Sequence, residues 1–212
     1  MAAPEEVPPL AARARALATE VGFALTREEA LREAGDGDGD KGAPHPSASL
    51  PGVGRFLAML AAGCAGGLIG ELGTGTGVGA AWIVSAMPAD ARLITVEIDP
   101  ERAAAARGLF AGDPRVRVLT GDSLDLIAAH APFDLLFADG GVGDRARLVD
   151  LLAIGGRIVA DDVTPQAALP PDSPFRDHDP KREFFFGDPR LVSVEVVLPD
   201  LRNSLLVGTR TR

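Results

Sequence analysis

Residues 68–79 read Leu68-Ile69-Gly70-Glu71-Leu72-Gly73-Thr74-Gly75-Thr76-Gly77-Val78-Gly79. Leu68 to Leu72 has the length and apolar content of one short buried strand. The glycines behind it permit a tight turn and a close approach of backbone to a ligand. Ala80 to Ala86 then reads as a helix. Strand, glycine turn and helix open a βα unit, with the turn at the strand's carboxyl end.

The alternation continues outward. Val53 to Ala62 reads as a helix upstream. Downstream, strands are expected at Leu93–Ile98, Val116–Leu119, Phe133–Ala138 and Gly156–Ala160. Helices are expected at Pro100–Phe110, Ser123–Ala129 and Arg145–Leu152. Such alternation implies a parallel sheet with helices on both faces and right-handed crossovers. Leu191–Leu198 and Ser204–Thr209 flank Pro199-Asp200-Leu201-Arg202-Asn203 and read as an antiparallel pair closing one edge. The expected class is α/β: a doubly wound, mostly parallel seven-stranded sheet with a C-terminal antiparallel hairpin.

Residues 1–50 are expected to add an N-terminal helical cap and a mobile loop to a main domain at 51–212, in one structural domain overall. Leu10 to Val21 has helical spacing, and Thr26 with Glu28 and Glu29 resembles the start of a second helix ending at Gly35. Gly35 to Gly42 alternates glycine and aspartate like the opening of a calcium loop. Lys41 and Ser47 stand where such a loop needs Gly and Glu, so a solvated loop is expected.

With 212 residues the chain is long enough for a self-sufficient core. Cys64 is the single cysteine, which excludes an internal disulfide and a cysteine zinc site. It also fits a reducing compartment. There is neither a basic leader followed by an apolar run nor an apolar stretch of about 20 residues. The expectation is a cytoplasmic protein with no membrane partner. The net charge of −9 weighs against nucleic acid as the main partner but leaves room for a local basic patch.

Open parallel sheets bind ligands beyond the carboxyl ends of their strands. Gly75, Gly77 and Ala80 also fit a dinucleotide fingerprint, so the turn alone admits a nicotinamide cofactor or no ligand. The next strand ends Thr95-Val96-Glu97-Ile98-Asp99-Pro100, and Glu97 stands about 20 residues past the glycines, where a carboxylate accepts ribose hydroxyls. The third ends Gly121-Asp122-Ser123. Asp122 or Ser123 could reach an adenine edge, or Asp122 could cap the following helix.

In this order and spacing, the three strand ends resemble the class I S-adenosylmethionine-dependent methyltransferases, over about residues 47–165. That resemblance implies a Rossmann-like sheet with a terminal hairpin and S-adenosylmethionine as cofactor. It sets Gly73, Thr74, Gly75 and Gly79 against the cofactor, with Glu71 near the methionine amino group. It gives the ribose to Glu97 and the adenine region to Ser123, with Ile98 and Asp122 also among the cofactor-binding residues. A carboxylate at Glu71 disfavours the pyrophosphate of a nicotinamide dinucleotide.

Two more strand ends carry acids: Phe133-Asp134-Leu135-Leu136-Phe137-Ala138-Asp139 and Gly156-Arg157-Ile158-Val159-Ala160-Asp161-Asp162. Neighbouring strands lie about 4.8 Å apart, so Asp139, Asp161 and Asp162 can converge. Such carboxylates repel one another or take a hard cation such as Mg²⁺, Ca²⁺ or Mn²⁺; alternatively each simply starts a turn. The two runs resemble the catechol and caffeoyl-CoA type of O-methyltransferase. That resemblance makes Asp139, Asp161 and Asp162 ligands of a divalent metal and Asp139 a catalytic and cofactor-facing residue. Asp162 replaces an asparagine of that group, and Val142 stands where the group has a basic residue.

His178, in Phe175-Arg176-Asp177-His178-Asp179-Pro180, is a candidate base in a polar loop. His45 and His130 are expected to be solvated, Trp82 to pack against the sheet, and Phe184 to Phe186 to pack in the core. The function read from the sequence is methyl transfer to a hydroxyl of a small-molecule acceptor, with a homodimer expected by resemblance. A dinucleotide-dependent oxidoreductase and a non-catalytic cofactor-binding protein are the alternatives.

Overall fold

Short apolar runs separated by capped helices produce the alternation seen in a computed structural model of the chain, which describes residues 6–22, 48–139, 144–198 and 203–212. The expected helix from Thr26, the acidic glycine loop, His45, Val142 and most of the hairpin turn lie outside the described residues. The strands are β1 Leu68–Leu72, β2 Arg92–Glu97, β3 Val116–Thr120, β4 Phe133–Ala138, β5 Leu152–Val163, β6 Leu191–Val197 and β7 Ser204–Arg210. They form one sheet in the order β3-β2-β1-β4-β5-β7-β6. Only β7 runs against its neighbours, β5 and β6. The expected doubly wound sheet with an antiparallel hairpin is therefore the observed fold.

The described helices are α1 Pro9–Glu20, α2 Pro51–Ala62, α3 Val78–Ala86, α4 Pro100–Phe110, α5 Ser123–Ala128, α6 Arg145–Asp150 and α7 Pro180–Gly187. The core has two layers, one on each sheet face. Ile69, Leu93, Leu135 and Val159 meet α2 and α3 on one face. Leu72, Val96, Leu136 and Ile158 meet Ile127, Leu148 and Phe185 on the other. Alpha-1 turns Ala11, Ala14 and Ala18 inward, and these small side chains let it lie against α3 and α4.

Three details depart from the sequence reading. First, β5 starts at Leu152 and runs past Ala160, with its pairing to β7 irregular between Ala160 and Val163. Asp162 sits there at φ 58°, in left-handed space that Asp tolerates better than most residues. Second, residues 180–187 are helical, because Asp179 accepts from the Lys181 and Arg182 amides and Pro180 occupies the first turn. Third, Trp82 packs against a helix and not simply the sheet: a Cβ on Gly54 of α2 would stand 2.3 Å from the indole.

Candidate active site

Strand order reverses between β1 and β4, which opens a crevice at their carboxyl ends. The Asp139 amide donates to the Leu72 carbonyl (2.9 Å), and those of Gly73 and Thr74 donate to the Val96 carbonyl (2.9 and 3.1 Å). Gly73 is at φ 94°, and a Cβ there would stand 1.9 Å from the Asp139 carbonyl oxygen. Only glycine fits where the first strand's exit crosses the fourth.

Glu71 is fully buried. Its register partner Thr95 donates to Glu71 Oε2 at 2.5 Å, and the Thr74 hydroxyl stands 2.5 Å from that of Thr95. A hydroxyl has one proton, so Thr74 must donate to Thr95. Glu71 Oε1 has no hydrogen-bond partner among the described residues. Burial pushes the Glu71 carboxyl up to about 8; Thr95 opposes the rise, Glu97 adds to it, and the Ala80 amide weakly opposes it.

Two further buried oxygens near this crevice lack partners among the described residues, Ser49 Oγ and Thr76 Oγ1. Both residues line the cleft with Gly73, Gly75, Gly79 and Asp139. A Cβ on Gly79 would lie 2.6 Å from Glu71 Oε1 and 3.1 Å from Ser49 Oγ, so glycine keeps the space between them open. Buried polar atoms without partners are uncommon in proteins. A cluster of acceptors suits a ligand bearing N–H or ammonium donors.

Glu97, also buried, accepts from the Gly75 amide (2.7 Å) and the Asp99 amide (2.9 Å). It straps the glycine turn to the end of β2 and keeps lone pairs for hydroxyl donors. Ile98 beside it is 71% exposed, an apolar surface in the open at the strand end. Asp122 caps α5 through the Leu124 amide (3.1 Å), and Ser123 is the first residue of that helix.

Asp139 and Asp161 feel one another's charge and that of Asp162 across the ends of β4 and β5. Burial holds the Asp139 carboxyl well above the ordinary range, and Asp161, Asp162 and Glu71 add to the rise while Lys181 opposes it. Burial and then Asp162 likewise raise Asp161. Asp161 Oδ1 accepts from Asn203 Nδ2 (3.0 Å) and the Asp162 amide (2.7 Å). Lys181 Nζ donates to the carbonyls of Asp161 (2.7 Å) and Asp162 (3.4 Å). Among the described residues, no three Asp, Glu, His or Cys side chains are arranged to hold a metal ion.

Lys181 and Asn203 are the participants the sequence reading missed. Lys181 is 20 residues from Asp161 in a segment read as loop, and the Asp179-Pro180 helix start was the available signal. Arg182 fixes its helix. Its guanidinium meets Glu195 at 3.0 and 2.7 Å, the Thr164 carbonyl at 2.7 Å, and Asp179. Ser204 Oγ donates to the same Glu195 at 2.7 Å. His178 lies elsewhere: its ring is 72% exposed and its Nδ1 is 2.6 Å from Glu183 Oε1. It is not among the residues lining the cleft.

Comparison with known proteins bears on the family and the fold. Residues 71–163 match the family described as "Methyltransferase domain". A Mycobacterium tuberculosis (strain H37Ra) protein named for O-methyltransferase activity is 38% identical over 122 residues, 53% of this chain and 54% of its own length. The matched part thus spans about half of such relatives. A Mycobacterium ulcerans protein named for the same activity is 32% identical over 161 residues, 71% of this chain and 70% of its own length. The crystal structure of the O-methyltransferase TomG from Streptomyces achromogenes, in complex with SAM, has a TM-score of 0.70 at 22% identity, covering 98% of this chain and 92% of that one. A Bacillus cereus O-methyltransferase in complex with SAH has a TM-score of 0.60 at 20% identity, covering 94% and 97%. The glycine turn, the acid at the end of each central strand and the mycobacterial relatives lead to one assignment: the chain belongs to the O-methyltransferase family of class I S-adenosylmethionine-dependent methyltransferases.

Proposed function

We propose that the chain transfers a methyl group from S-adenosylmethionine to a hydroxyl oxygen of a small molecule. The observation that carries this is the buried Glu71 carboxyl, whose unpartnered oxygen faces the space kept open by Gly79. That oxygen suits the methionine ammonium. Glu97 would receive the ribose hydroxyls, and Gly73, Thr74 and Gly75 would lie along the cofactor. Ile98 offers a surface for the adenine, with Asp122 and Ser123 at its edge. S-adenosylmethionine supplies a methyl already activated by the sulfonium charge.

The chain's own residues orient the acceptor, exclude water and take a proton. Asp139 lines the same cleft and is the base of this proposal: burial and neighbouring acids raise its proton affinity above that of an ordinary carboxylate. The acceptor hydroxyl gives its proton to Asp139 as its oxygen accepts the methyl group. Lys181 tempers that affinity and anchors the Asp161–Asp162 turn. His178 would act only as a more distant acid–base group in the loop before α7.

Divalent metal assistance is the second reading. The mutual repulsion of Asp139, Asp161 and Asp162 favours it, since Mg²⁺, Ca²⁺ or Mn²⁺ would relieve that repulsion. The residues do not fit it as they stand: Asp161 Oδ1 is held by Asn203, and an ammonium already stands beside the acids. A homodimer through the exposed Val192 and Val194 of β6 and a cytoplasmic location are also proposed. No described helix is long and apolar enough to cross a membrane.

The test is formation of S-adenosylhomocysteine from S-adenosylmethionine with a panel of phenols and vicinal diols, with and without chelator. Acceptor-dependent turnover supports the proposal, and its persistence under chelation removes the metal. Failure of S-adenosylhomocysteine to bind at all would overturn it.

A further inference from the structure

The sheet has a second cavity, at the end opposite the glycine turn. It encloses about 420 Å³ around the amino ends of β1, β2 and β3. Its lining is aliphatic at Leu68, Ile94 and Pro114 and cationic at Arg92, Arg115 and Arg117, with His130 beside them. The register accounts for this: Leu68 pairs with Arg92, and Ile94 with Arg117. Side chains alternate along a strand, so Arg92, Ile94 and Arg117 share one face. The helix on that face, α5, has six residues and covers roughly 9 Å, leaving the amino ends uncovered.

Arg115 has its own counter-ion in Asp113 (2.5 Å) and reaches the Met87 and Pro88 carbonyls. The side chains of Arg92, Arg117 and His130 form no hydrogen bond or ion pair among the described residues. Like charges on neighbouring strands of one face repel. In a chain of net charge −9, a cavity with three basic side chains that lack an ion-pair partner stands out.

We propose that this cavity binds a phosphomonoester carried on a small apolar body. Its volume falls within the range of small-ligand pockets. Guanidinium forks match phosphate oxygens in pairs, and a phosphomonoester carries close to two negative charges at neutral pH. The aliphatic residues receive the organic part. Nothing in the proposed methyl transfer uses this end of the sheet, so the two readings stand separately.

Phenyl phosphate is titrated calorimetrically into the full chain at low salt with excess S-adenosylhomocysteine, beside inorganic phosphate and phenol. One saturable site for phenyl phosphate is expected, about tenfold tighter than for either fragment. The Arg92→Ser/Arg117→Ser double variant should weaken it about tenfold or more, and Arg117→Lys, which keeps the charge but loses the fork, should weaken it by less. Both arginines are exposed, and an unchanged melting temperature shows that the variant is folded. Absence of saturable heat, undiminished binding in the double variant, or equal affinity for inorganic phosphate would overturn the proposal, the last by showing an adventitious charge effect. Competition by S-adenosylhomocysteine would also overturn it, because the ligand would then occupy the crevice.

Discussion

In the proposed cofactor pose, Glu71 is the residue whose chemistry changes most. Its carboxyl is pushed up to about 8, chiefly by burial, so near pH 7 it is mostly protonated. An ammonium on Oε1 favours the ionised form, so binding should release close to one proton near pH 7. Calorimetry in buffers of different ionisation enthalpy measures this, and Glu71→Gln should abolish the release. Glu97→Gln should act differently, because the carboxylate accepts two backbone N–H groups. Leaving one of them without an acceptor costs roughly 1–3 kcal/mol. A lower melting temperature and about tenfold weaker S-adenosylhomocysteine binding are expected. Asp139→Asn should separate stability from function. It removes a buried charge that its neighbours repel, so the melting temperature at pH 8 should rise while turnover falls about 100-fold or more. A fall in both would show that Asp139 supports the fold instead.

At the scale of elements, α7 carries Lys181 to the acids, and Arg182 carries α7. The Arg182 guanidinium ties this helix to β6 through Glu195 and to the end of β5 through Thr164. Arg182→Met leaves the largely buried Glu195 without its cation, a loss of about 2 kcal/mol. For a chain of this length that is a drop of roughly 4–8 °C in melting temperature, with turnover reduced because Lys181 shifts. Reversible thermal denaturation beside steady-state kinetics checks both effects. The central strands were legible because each is a short apolar run ending in a glycine or an acid. Glu71, Glu97, Asp139 and Asp161 were legible because strand ends in a parallel sheet converge by construction. Lys181 and Asn203 were not, since both come from segments joined to the site only by tertiary packing. Nor was the shift in β5, where Asp162 trades the sheet ladder for a left-handed turn.

Across the whole molecule, the acids at the carboxyl end of the sheet set a pH dependence of stability. Glu71, Asp139 and Asp161 all have folded-state proton affinities raised above their ordinary values. The native state therefore binds more protons than the unfolded chain, and stability falls as pH rises. For Glu71 the window runs from its ordinary value near 4.5 to about 8. Urea midpoints at pH 6 and pH 8 should show the ligand-free protein weaker at pH 8, and Glu71→Gln should flatten the difference. The charge of Glu71 is also among those felt by Asp139. The two carboxyls thus draw on one electrostatic reservoir, and an ion formed at one discourages an ion at the other. An ammonium seated on Glu71 offsets the carboxylate charge that forms there, so the proton Glu71 gives up adds no repulsion at Asp139. The donor and acceptor halves of the crevice would then be electrically insulated from each other, each able to fill without disturbing the proton held by the other.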